Sequence, residues 1–178
     1  MTGPQRLHAR AIMDELYRLR GRFGYPPGDQ RDNRDGWSWH LSETEMLRAL
    51  EGLDHGELPQ LDCSETWSWV LRCCGVWHWS APGWTGSHLA TIRPVYFDAR
   101  QAGIAAGVVF GGYPHPTLED PATGHHEAMV HTPDPVNGNP LLYSHGHAGG
   151  DLARLHDMAA EQAASGHPGV RFLSVAHL

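Results

Sequence analysis

From residue 103 onward the chain changes texture. The stretches "GIAAGVVFGG" (103–112), "HEAMVH" (126–131), "PLLYSH" (140–145) and "VRFLSVA" (170–176) are short apolar runs bounded by Gly, Pro and Asn. Runs of that length and punctuation read as strands. Between the second and third, "DPVNGNP" supplies the turn chemistry of a hairpin. "DLARLHDMAAEQAAS" (151–165) reads as a helix with Asp151 near its start. Before residue 103 the period is helical instead. Leu7, Ala11, Ile12, Leu16 and Leu19 recur at helical spacing, and Ser42 with Glu45 forms a capping box for a short helix ending near Gly52. Residues 64–74 predict a helix with Trp67, Val70, Leu71 and Cys74 on one face, stopped at Gly75. Helices first, then a small, mainly antiparallel sheet with a helix before its last strand, define an α+β fold. The 178 residues suit one compact domain. Residues 1–57 are expected as a helical extension packed on a core formed by 58–178.

Composition narrows the functions. A net charge of -7 argues against a nucleic-acid partner, which needs a concentrated basic surface. No run reaches the ~18 apolar residues of a membrane span. The N-terminal stretch is charged and amphipathic, without the apolar region of a secretory signal, so synthesis in the cytoplasm is expected. All 13 basic residues are Arg, the mark of a GC-rich genome. The cysteines are Cys63, Cys73 and Cys74. Two are adjacent, and on one helix Cys63 and Cys74 would stand roughly 16 Å apart, so no disulfide framework is expected.

Cys63 follows Asp62 where loop-like "GELPQLD" gives way to the apolar helix. A helix N-terminus offers unpaired N–H groups and positive potential, which favour a thiolate. A cysteine nucleophile needs a base, and the base needs a third polar group to fix its tautomer. Among 14 histidines, two stand out by position: His126 opens one strand and His145 closes the next. If those strands pair across "TPDPVNGNP", the two imidazoles come together. Cys63, His126 and His145 then supply nucleophile, base and orienting group.

The segment "LDCSETWSWVL" resembles the nucleophile helix of the NlpC-type cell-wall cysteine endopeptidases, which are papain-like. "PGWTGSHLATI", "AGVVFGG", "GHHEAMV", "PLLYSHGHAGG" and "RFLSV" are similar, in order, to later segments of that family. The likeness runs from about residue 58 to the end, and is strongest toward peptidoglycan peptidases of actinobacterial phages. It implies a papain-like core and a peptidoglycan hydrolase without cofactor or metal. Cys63 attacks a stem-peptide amide, most simply one next to diaminopimelate. His126 is the base and His145 the third catalytic residue. Ser64, His125 and Trp84 lie beside the substrate. The implied partners are bacterial peptidoglycan and, for a virion-borne enzyme, other phage tail proteins; release at lysis is the other route to the wall. Two positions depart from the pattern: Glu65 stands where Gly is usual, and "GIAAG" lacks the acid of the family strand.

Two rival readings stand beside this one. A non-catalytic tail-tip subunit could keep the peptidase fold. A zinc-dependent wall peptidase would use His145 and His147, with His115 and Glu119 upstream.

Overall fold

Helix boundaries here are written in side chains. The computed structural model describes residues 1–24, 37–53, 58–81, 85–92, 98–111, 126–145, 153–167 and 169–175. Thr2 caps α1 (Gly3–Arg18) in a box with Gln5, Ser42 caps α3 (Glu43–Leu50) with Glu45, and Asp62 caps α4 (Cys63–Cys73) with Glu65. A short α2 (Trp37–His40) precedes α3, and α5 (Thr85–Thr91) follows α4. The strands are β1 (Gly107–Gly111), β2 (His126–Thr132), β3 (Leu141–Ser144), β4 (Arg154–Asp157) and β5 (Gly169–Leu173), with α6 (Met158–Ser165) before the last.

The strands form one antiparallel sheet in the order β4-β3-β2-β1-β5. The architecture is α+β. β2 and β3 pair as neighbours across the predicted turn, with a register irregularity between Val130 and Thr132. One difference concerns residues 151–165, expected as a single helix. Residues 154–157 are instead an edge strand on β3, and the helix begins only at Met158. Asp157 marks the switch: its carboxylate accepts from the Ala160 amide at 2.8 Å, so it caps a helix that begins at the next residue. A second difference concerns α1. Its buried stripe is Ala9, Ile12, Met13 and Leu16, whereas Leu7 and Ala11 face solvent.

Strand alternation divides the sheet into two apolar faces. On one, Val109, Met129, Tyr143 and Leu173 join a core built with α1, α3 and α4. On the other, Val108, Phe110, Ala128, Val130, Leu142 and Phe172 cluster, with Met158 of α6 against them. α4 leans directly on β2. Trp67 fixes that seat: it is fully buried, donates to the Ala105 carbonyl at 3.0 Å, and lies so close to Gly107 that a Cβ there would be 2.8 Å from its ring. The N-terminal helix is tied in by Arg6 to the Ile104 carbonyl at 2.8 Å and by Asp14 to His131 at 2.8 Å.

Candidate active site

Asp62 accepts from the Glu65 amide at 2.7 Å, and Glu65 returns a carboxylate to the Asp62 amide at 2.8 Å. The cap places Cys63 at the first helical position, where amides have no helical carbonyl to donate to. The Glu65 carboxylate, which departs from the family pattern, is thus spent on closing the helix start. Ser64, expected beside the substrate, is buried and donates to Asp62 Oδ1 at 2.8 Å. It reinforces the cap. Cys63 itself is 9% exposed.

His126, the first residue of β2, is buried and has Cys63 as a neighbour. Its Nε2 lies 2.7 Å from Glu161 Oε1 and 2.8 Å from Ser144 Oγ, and Ser144 in turn donates to Glu161 Oε1 at 2.8 Å. Nδ1 makes no hydrogen bond among the described residues, and Cys63 acts on the ring electrostatically. The Phe110 ring lies parallel to it at 6.2 Å. Burial disfavours the imidazolium of His126. Interaction with Cys63 and Glu161 outweighs burial, and the pKa rises to about 10. Glu161 shows the complement: burial favours its neutral form, but contact with His126, Ser144 and His156 outweighs that and lowers its pKa. The arrangement therefore carries its proton on the imidazole, beside a carboxylate.

His145, expected as the orienting group, does not occupy that place. Its Nε2 lies 2.9 Å from the Gly24 carbonyl and its ring packs on Phe23 at 4.3 Å. The cause is strand alternation: Ser144 faces His126, so the next residue points to the opposite side. Gly24 also donates to the Pro59 carbonyl at 3.0 Å, so His145 braces the segment that leads into Cys63. The carboxylate at His126 is Glu161, on α6. Sequence reasoning missed it because a continuous helix over 151–165 makes Glu161 an ordinary solvated residue. Asp157 marks the true start of α6, but no local signal marks the burial of Glu161.

Burial pushes Cys73 and Cys74 up to about 12, which keeps them protonated at neutral pH. Trp77, in the loop after α4, is buried and packs edge-on against Trp67 and Trp79, while Trp79 is exposed. His125 and Trp84, expected beside the substrate, lie outside the described residues, as do His115, Glu119 and His147 of the zinc reading. Among the described residues no three His, Cys, Asp or Glu side chains are grouped to hold a metal ion. No family model, curated protein or solved structure matches the chain.

Proposed function

We propose that the protein is a papain-like cysteine endopeptidase that cleaves a stem-peptide amide of bacterial peptidoglycan. The observation that carries the reading is the grouping of a cysteine at a capped helix start, a buried histidine on which that cysteine acts electrostatically, and a buried carboxylate on one nitrogen of that histidine. The choice of peptidoglycan rests on the likeness of the segments around Cys63, His126 and His145 to the cell-wall family.

In the mechanism, Cys63 sulfur attacks the amide carbonyl as a thiolate, its proton held on His126. The oxyanion forms against the first-turn amides of α4, with the helix dipole behind them. His126 gives its proton to the leaving amine, and a thioester to Cys63 remains. Water, deprotonated by His126, attacks the thioester; the acid product leaves and the proton returns to the thiolate–imidazole pair. Glu161 orients the ring and balances the imidazolium, the role the resemblance gave to His145.

The test is mass analysis of actinobacterial peptidoglycan digested by the native protein and by Cys63→Ala. Native protein should release new stem-peptide termini and the variant none. Equal digestion by both would remove Cys63 as nucleophile.

A further inference from the structure

Glu161 has two carboxylate oxygens, and the mechanism above uses one. Oε1 receives His126 and Ser144. Oε2 meets Nε2 of His156, on β4. The three partners sit on three adjacent strands. Register places Ala128 beside Ser144 and Leu142 beside His156, so all three share the sheet face that α6 covers. His156 lies at the rim of this cluster: its side chain is 20% exposed, against 1% for Glu161 and for His126.

We propose that His156 is a positioning residue for the reaction described above: it holds Oε2 of Glu161 and so keeps Oε1 on the ring of His126. The inference rests on that reading of the site. A buried carboxylate stays ionised only while its oxygens are supplied with donors or positive charge. Among the described residues, the groups facing Glu161 are His126 from β2, the Ser144 hydroxyl from β3 and His156 from β4, with Cys63 beyond His126. Arg154, the register partner of Ser144, shares the face, and Asp157 is committed to capping α6. Ser144 and His126 crowd onto one oxygen, so among the described residues loss of His156 strips the other. The carboxyl then takes up a proton at higher pH, and a protonated Glu161 no longer balances the imidazolium. The lowered pKa of Glu161, to which the charge of His156 contributes, agrees with this.

The test follows the Glu161 carboxyl by 13C NMR across pH, together with the acid limb of peptidoglycan cleavage, in native protein, His156→Leu and His156→Gln. The leucine variant should move both the carboxyl midpoint and the acid limb upward by about one pH unit, the tenfold expected for losing one ion-pair partner of a buried carboxylate. The glutamine variant keeps a donor toward Oε2 and should fall between. A merely structural role would lower the melting temperature and the rate at every pH without moving the limb; that result overturns the inference. Should His156→Leu fail to fold, His156→Asn, polar but too short to reach Oε2, must show the same upward movement. Native protein without thiol-dependent cleavage would sink the proposed function and this role with it. Native cleavage with an unmoved acid limb in the variants would sink the role of His156 alone.

Discussion

Replacing Glu161 with Gln removes one charge from the site and nearly nothing from its volume. His126 Nε2 and Glu161 Oε1 lie 2.7 Å apart, each only 1% exposed, so solvent screens the pair little. The rise of His126 from 6.5 to about 10 corresponds to roughly 5 kcal/mol favouring the imidazolium. Cys63 and Glu161 supply it together against the cost of burial. If Glu161 carries about half, the variant loses on the order of 2–3 kcal/mol at neutral pH, near the lower end for breaking a buried pair. The sign is fixed by linkage. A histidine raised on folding contributes in full below pH 6.5, and that contribution is lost as pH climbs through about 10. Native protein should therefore lose stability as pH climbs toward 10. In Glu161→Gln the decline should end at lower pH and be smaller in total. Urea unfolding at half-unit pH steps measures both curves. Parallel curves from pH 6.5 to 10 would show that Glu161 does not hold the imidazolium, and the argument for its role would fail.

Three further outcomes follow from the same geometry. His145→Leu should leave the His126 ring titrating near pH 10 by NMR while loosening the Phe23–Gly24 segment; a fall toward 6.5 would return the orienting role to His145. Gly107→Ala forces a Cβ to 2.8 Å from Trp67 and should cost about 1–3 kcal/mol in denaturant unfolding, with a shift in Trp fluorescence from the displaced ring; an unchanged midpoint would contradict the packing. Asp62→Ala opens the α4 start and should cost about 1 kcal/mol, read as a lower urea midpoint at constant slope.

The sequence made parts of this site legible because local chemistry decides them. Asp62, Cys63 and Glu65 announce a helix start by spacing alone, and the turn between β2 and β3 announces a hairpin. His126 could be picked out because it opens a strand. Glu161 could not, since its burial depends on α6 crossing a face of the sheet, a long-range fact that no local pattern carries. His145 misled for a related reason: pairing the strands places its stretch near His126, but which of Ser144 and His145 faces inward depends on a one-residue register. Residues 154–157 read as helix in the sequence because four residues are too few to show alternation, and their pairing with β3 outweighs helical propensity.

The paired thiol and imidazole at Cys63 and His126 are tested most directly by site-resolved alkylation of the folded protein. At pH 7 and limiting iodoacetamide, peptide mapping should find label on Cys63 well before Cys73 or Cys74, whose thiols burial holds near 12, and His126→Ala should abolish that preference. Equal, slow labelling of all three cysteines, unchanged by His126→Ala, would contradict an activated sulfur at the head of α4.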